Sequence, residues 1–592
     1  MANKWVLGIN PGIYGMNYHD PSAALFKNSN LICAIEEERL NRKKGSKGIF
    51  PIKAIKKCCK IAKIELSDID IISVGYNPEK RQDRSNLEFF KIFNNLNFLK
   101  ILDGIPKGKN IPEEEIVNLS KKIITDLINY NSKKDMSSTL RASSKILNEI
   151  DTQIKINFHD HHLCHAASAF YPSGFKKSLI IIIDGVGEFE TLSVWKGEGK
   201  SITKLNSKTL PYSLGYLYAA FTAFLGFIPW NSEGKTMALA PYGKLNMSLV
   251  KKISDIKERL ILNSFGDDLD LDIEKSTKII EQEFSLKRRN KDDKIKNVHK
   301  DIAYAIQDYL EKEVSNKIKD TMREYKINNI CCSGGVFLNC KMNGVLREIR
   351  GVKKSYFQPV SKDSGLSIGA ALLDIKDPNK FKLNHLGLGE YFTDKQIEMA
   401  LKKRKIKFKK YSDNKLFQKA TDKLLEQEII FWYQGGLEFG PRSLGFRSIL
   451  ADPRDKKLSD LINKKIKHRE QWRPFACSIL EEHAKDVLVN YKRLSPFMIE
   501  AYKVKKNWLN KIQGVLHTAD GTTRPQTVNK KDLPKYHSLI YNFYKKTGIP
   551  LLLNTSLNDK GEPIINTPEE ALNFFYKFPG NVLILNNFWI EK

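Results

Sequence analysis

Apolar and polar positions divide the chain into short strands, amphipathic helices and two long polar stretches. Residues 4–9 and 22–35 carry WVLGI and SAALFKNSNLICAI. The polar turn KNSN between two apolar runs predicts a hairpin. Residues 179–184, LIIIID, form a continuous β-branched run, the signature of a strand buried on both faces. The turn Gly185-Val186-Gly187 and a second strand, TLSVW, follow. Asp301 to Tyr325 predicts a long amphipathic helix, Asn329 to Cys332 a short strand entering SGG, residues 355–358 another strand, and GLSIGAALLDI a helix. Residues 79–150 are Lys-, Asn- and Leu-rich with a helical pattern, and residues 245–300 are charged and helical; both read as insertions. Turn formers and mixed charge at 376–395 predict a linker, and a second αβ region runs from 396 to 592.

One segment has membrane length. Thr209 to Ser232 carries no formal charge, but it contains two Pro, two Gly and several Tyr, Ser and Thr, and no second such segment follows. It reads as a buried helix pair or a helix plus loop, not a span. The N-terminus, MANKWVLGIN, lacks an apolar region behind a basic one, so no signal peptide is expected.

Composition narrows the class. With 592 residues, 41% hydrophobic and 28% charged, the chain is expected to be globular, with about three to five structural units at roughly 100–200 residues each. The net charge of +30 invites nucleic acid or phosphorylated partners. The excess is lysine spread along the chain, so a dedicated nucleic-acid role is not expected. Eight cysteines include no CxxC pair, and two adjacent pairs suit no disulfide framework. Reduced thiols in a cytoplasm are the expected state.

Six segments carry candidate chemistry. In HDHHLCHAASAF, residues 159–170, His161 and His165 are spaced i, i+4 and share one helix face. The pattern suits a metal ion, or else a polar helix start. Asp184 ends the apolar strand before a Gly turn, as a cation ligand or as a turn former. Gly334-Gly335 in CCSGGVFLNC permits close backbone approach to a ligand, or forms an ordinary strand–helix turn. Asp363 precedes a helix, as a cap or as a fourth ligand. Residues 437–476 concentrate Arg442, Arg447, Arg454, Lys464, Lys465, Lys467, His468, Arg469 and Arg473 among Gly and apolar residues. That pattern suits a bed of cations for triphosphate or pyrophosphate better than a solvated face. The apolar strand in PLLLNTSLNDKGEPI delivers Asn554, Thr555 and Ser556 at its end, and Arg524 lies in the loop TADGTTRPQTV.

Together with HDPSAAL, EEERLNRKKG and EGKTMALAPYG, these segments resemble the O-carbamoyltransferases of nodulation-factor modification and antibiotic tailoring, from about residue 5 to 590. The resemblance implies an α/β fold: a sugar kinase–actin-like duplicated domain over 1–375, then a YrdC-like α/β domain over 396–592. It implies carbamoyl adenylate and pyrophosphate from ATP and carbamoyl phosphate in the second domain, then carbamoyl transfer to a hydroxyl of a small-molecule or glycan acceptor in the first. His161, His165, Asp184 and Asp363 match the family's metal ligands, with Fe(II) the family's ion; manganese or zinc suits the same set, and magnesium is a further candidate beside ATP. His19 matches a histidine beside the acceptor, a general base by its near-neutral pKa. Lys44 matches a lysine that steadies developing negative charge, with Lys43 an alternative one position away. Gly334, Gly335 and Asn339 match the adenosine-side turn of the first domain. Arg442, Lys467 and Ser556 match adenylate and carbamoyl phosphate contacts, with Asn554 and Arg473 beside them, and Arg524 matches an arginine at the shared cavity.

A threonylcarbamoyl transferase acting on tRNA is the alternative that basic charge favours and that GPRSLG and KHRE oppose. A hydrogenase-maturation carbamoyltransferase should carry CxxC zinc motifs. A non-enzymatic nucleotide-binding scaffold should have lost some of His19, His161, His165, Asp184 and Asp363, and all are present. The acceptor and the oligomeric state, a homodimer included, are not legible in the sequence.

Overall fold

The computed structural model describes residues 4–12, 17–77, 154–188, 190–262 and 272–592. The expected insertion at 79–150 lies outside them. Two five-stranded sheets share one topology. In the first, β1 (Trp5–Asn10), β2 (Ser22–Lys27) and β3 (Asn30–Glu36) form an antiparallel meander, and β4 (Ile71–Val74) and β5 (Lys155–Phe158) add in parallel on the other side of β1. The order is β3-β2-β1-β4-β5. The second sheet repeats it with β6 (Lys177–Ile183), β7 (Glu190–Glu198), β8 (Ser201–Thr209), β9 (Asn329–Ser333) and β10 (Lys354–Phe357), in the order β8-β7-β6-β9-β10. The first and central strand of each sheet is the apolar run read from the sequence. Five consecutive residues of β1 and six of β6 are buried, as a strand covered on both faces requires. This is the duplication expected of a sugar kinase–actin-like domain.

A helix follows the fifth strand of each sheet: His161–Ser173 after β5, and Leu366–Asp374 after β10. The two cross closely. A Cβ on Gly369 would lie 1.9 Å from the Cys164 carbonyl oxygen, and one on Gly8 would lie 1.8 Å from that of Ser367. The glycines therefore set the distance between the two halves. The segment of membrane length forms the buried helix Leu214–Phe224 and a loop that leads into the helix Glu233–Leu239. Among the described residues no helix is long and apolar enough to cross a membrane. In the 245–300 insertion the helices Met247–Leu262 and Ile273–Phe284 pack on the long helix Asn297–Tyr325 and on Leu214–Phe224.

Within the stretch read as a linker, Gly387–Tyr391 forms a strand paired with Gly436–Glu438. The C-terminal region builds an eight-stranded mixed sheet around Ile430–Tyr433, Arg447–Ala451 and Leu551–Ser556. It has its own core, including Trp432, Ile449, Leu552 and Phe575. The core of the duplicated unit runs on into this region through Phe439, Leu444, Phe497, Met498 and Ile499. All eight cysteines are free and buried.

Candidate metal centre and cation cluster

The close crossing of the two helices brings four side chains to one point. His161 opens its helix and His165 lies one turn on; Asp184 follows β6; Asp363 opens the turn before Leu366–Asp374. One ligand atom from each lies within 4.8 Å of the others. His165 Nε2 is 3.2 Å and His161 Nε2 3.5 Å from Asp184 Oδ2, and both are 3.8 Å from Asp363 Oδ1. Asp363 makes no capping hydrogen bond with its helix, so the capping alternative is not realised.

The surrounding groups orient the imidazoles. His161 Nδ1 meets Asn17 Oδ1 at 2.9 Å, which requires the proton on Nδ1 and turns Nε2 toward the carboxylates, where it carries a proton until a cation takes its place. His165 Nδ1 meets Ser333 Oγ at 3.2 Å. Glu188 accepts the His161 backbone N–H through both oxygens. Burial alone would raise the Asp184 pKa, but His161 and His165 hold it well below the ordinary value. Burial alone would lower His161, but Asp363, Asp184 and Glu188 carry it up to about 9. Two buried imidazoles whose Nε2 atoms converge on two carboxylates fit a divalent cation of the first transition row. His162 points elsewhere, with Nδ1 on Ser193 Oγ at 2.8 Å, and burial drives its pKa well below the ordinary value.

His19 stands beside this centre, its backbone carbonyl held by Asn10 Nδ2 at 2.8 Å. Burial lowers its pKa against the opposing charge of Asp363, so the neutral imidazole that a base requires is favoured at neutral pH. Lys44 and the neighbouring Lys43 are both exposed, but Lys44 Nζ bonds Glu38 Oε1 at 2.8 Å. Glu38 belongs to a buried charge network absent from the sequence reading. Lys362 joins Glu36 at 2.6 Å and Asp20 at 2.8 Å, and Arg39 joins Glu36 at 2.6 Å and contacts Glu38. The signal was the acidic-basic run EEER at the end of an apolar strand. Arg39 also donates to the Gly440 carbonyl at 2.6 Å, and the Gly440 N–H donates to Glu36 at 3.1 Å. The network thus ties the first site to the GPRSLG loop.

The expected adenosine-side turn has local structural reasons. A Cβ on Gly334, at φ +99°, would lie 2.3 Å from the Ile183 carbonyl oxygen, and one on Gly335 would lie 3.0 Å from Asp184 Oδ1. Asn339 caps the helix Cys340–Arg347 by accepting the Met342 N–H and exchanges hydrogen bonds with Gln307.

The second site is a cluster of cations. The buried Glu438 carboxylate accepts the backbone N–H groups of Leu444, Phe446 and Arg447 at 2.9–3.1 Å, which fixes the loop bearing Arg442. Lys467 Nζ donates to the Ser556 carbonyl at 2.8 Å and to Asn558 Oδ1 at 2.7 Å. Arg469, Arg473 and Arg524 lie close enough to weigh on one another electrostatically. Burial first, then the Arg524 and Arg473 charges, lower the Arg442 pKa to about 9. Burial and the Arg469 and Arg473 charges push Lys467 well below its ordinary value. Desolvated cations that repel one another favour an anion among them. Arg524 Nε is buried without a hydrogen-bond partner.

Ser556 sits at the rim, whereas Asn554 is buried behind it, donating to Ser443 O and Ser478 Oγ. Two arginines of the basic run are structural. Arg447 lies 3.4 Å over the Tyr433 ring and donates to Gln434 O, and Arg454 is paired with Asp452. Lys464 and Lys465 are solvent-exposed.

Comparison with known proteins follows the same division. Residues 10–372 match the family described as Carbamoyltransferase N-terminus, and residues 421–592 match Carbamoyltransferase C-terminus. An uncharacterized protein of Synechocystis sp. is 33% identical over 97% of this chain and 95% of its own. Nodulation protein NolNO of Sinorhizobium fredii is 32% identical over 97% of this chain and 79% of its own. Nodulation protein NolO of Bradyrhizobium diazoefficiens is 33% identical over 73% of this chain and 79% of its own.

Proposed function

This chain belongs to the carbamoyltransferase family, and from that premise we propose that it is an ATP-dependent O-carbamoyltransferase with two coupled sites. The observation that carries the reading is the pairing of a cation cluster around Arg442 with a His-His-Asp-Asp centre, tied together through Arg39 and Gly440.

In the cation cluster, carbamoyl phosphate loses inorganic phosphate to water, and a carbamate oxygen attacks the α-phosphorus of ATP. Pyrophosphate leaves and carbamoyl adenylate remains. Arg442, Arg473 and Arg524 neutralise the phosphoryl oxygens, and Lys467 at the Ser556 rim holds the carbamoyl end. The mixed anhydride is hydrolysed readily by water, so it is passed on inside the protein. Beside the metal centre, the neutral His19 takes the proton from the acceptor hydroxyl oxygen as that oxygen attacks the carbamoyl carbon, and AMP leaves. Lys44, oriented by Glu38, faces the charge that develops on the carbamoyl oxygen. His161, His165, Asp184 and Asp363 hold a divalent cation, which supplies Lewis-acid polarisation when bound.

Pyrophosphate release from ATP, without acceptor, tests the first half. It should require carbamoyl phosphate; release that ignores carbamoyl phosphate would exclude this reading.

A further inference from the structure

The EGKTMALAPYG segment of the first unit reaches the cation cluster of the second. Lys235, on the short helix Glu233–Leu239, bonds Glu470 Oε1 through Nζ at 2.8 Å. Glu470 lies in the KHRE turn. Its Oε2 is buried without a hydrogen bond and stands 3.7 Å from Arg473 Nη1. Burial alone would raise the Glu470 pKa, but the Lys235 hydrogen bond and the charges of Lys235 and Arg473 hold it below the ordinary value. Asp559, the carboxylate that acts on Lys467, is engaged by Lys577 at 2.7 Å. Glu470 is therefore the carboxylate poised to collapse onto the arginines. Around it the contact is built: the Phe227 ring lies 5.4 Å from Lys235 Nζ and 6.3 Å from the Trp472 ring, and Tyr242 Oη bonds Thr518 Oγ1 at 2.7 Å.

We propose that Lys235 is a positioning residue of the anion site, holding the Glu470 carboxylate at 3.7 Å from Arg473, an ion pair too long for a hydrogen-bonded fork, so that the arginine's donors are kept for a phosphoryl group. The inference rests on reading the cluster as a phosphate site. A carboxylate and a phosphate compete for the same guanidinium fork, and a carboxylate fixed beside a desolvated arginine competes at high effective concentration. Lys235 removes that competitor with a single charge supplied from the other unit.

Titration of the full chain with inorganic pyrophosphate tests this, alongside the KM for carbamoyl phosphate and the thermal midpoint of each variant. Lys235→Met should weaken pyrophosphate binding about tenfold, the size of one charge-assisted contact, and should raise KM more than it lowers kcat. Lys235→Arg should bind as the parent does. The double variant Lys235→Met/Glu470→Gln should recover parental affinity, because the competitor is gone. A double variant as weak as Lys235→Met would make Lys235 a structural clamp and overturn the inference, as would parental affinity in Lys235→Met alone. Absence of pyrophosphate binding by the folded parent chain would instead remove the phosphate-site reading itself.

Discussion

At the scale of the residue, function rests on groups that burial makes costly unless each finds its partner. His161→Ala removes one of two imidazoles at the metal centre. Bound metal, measured by elemental analysis after dialysis, should fall by at least tenfold in affinity, while adenylate formation at the Arg442 site stays near parental. Equal loss of both activities would contradict the division of labour. Glu37 shows the same cost away from any site. It is buried, and burial raises its pKa from 4.5 to about 7, although its Oε2 accepts the Ala54 N–H. Between those values the folded state holds a proton that the unfolded chain has lost, so stability falls as pH rises from about 4.5 to about 7, and the penalty is full above that. Glu37→Gln should therefore stabilise the protein at pH 8 by up to roughly 3 kcal/mol and change little at pH 4. Equal thermal shifts at both pH values would refute this. Of the four clustered side chains, the i, i+4 histidines were legible as a local pattern, whereas Asp184 and Asp363 read equally as a turn former and a helix cap and joined the set only through the family resemblance. Glu36, Arg39 and Lys362 were not, because their meaning lies in contacts between distant segments. Asn339 and Asn554, read as ligand contacts, are seen to cap a helix and to pin a loop.

Among the secondary-structure elements, legibility followed burial. The hairpin β2–β3, the isoleucine run of β6 and the helix Leu366–Asp374 are apolar enough to announce themselves. β8, SITKLNSKT, is a half-exposed strand paired only with β7, so neither a β-branched run nor a clean alternation marks it. The strand Gly387–Tyr391 hides in glycine and charge, since its pairing with Gly436–Glu438, not its side chains, defines it. The helix crossing places the ligands, and Gly369 sets its distance. Gly369→Ala ordinarily favours a helix by about 1 kcal/mol; here the Cβ would meet the Cys164 carbonyl at 1.9 Å and force the helices apart. The variant should lose several degrees in thermal midpoint and bind metal more weakly. An unchanged midpoint with full metal binding would show that the crossing tolerates a methyl group.

For the whole molecule, the two sites are parts of one body. The core of the duplicated unit continues through Phe439, Leu444 and Ile499. Charged contacts cross the same boundary: Arg39 to Gly440, Arg42 to the Pro563 and Ile564 carbonyls, and Lys341 to Asp520. A labile adenylate made at one site and used at the other requires such a fixed relation. The order of motifs announced both units, but not the contacts between them, because a linear sequence carries no record of which loop meets which. In the proposed reaction, adenylate formation belongs to the Arg442 cluster and is separable from transfer at the candidate metal centre. Exchange of labelled pyrophosphate into ATP, with carbamoyl phosphate and no acceptor, measures that step directly. The account predicts exchange that depends on carbamoyl phosphate in the parent chain and in His161→Ala, and its loss by at least a hundredfold in Arg442→Ala, whose guanidinium supplies charge-assisted phosphate contacts. Exchange that survives in Arg442→Ala and disappears in His161→Ala would contradict it.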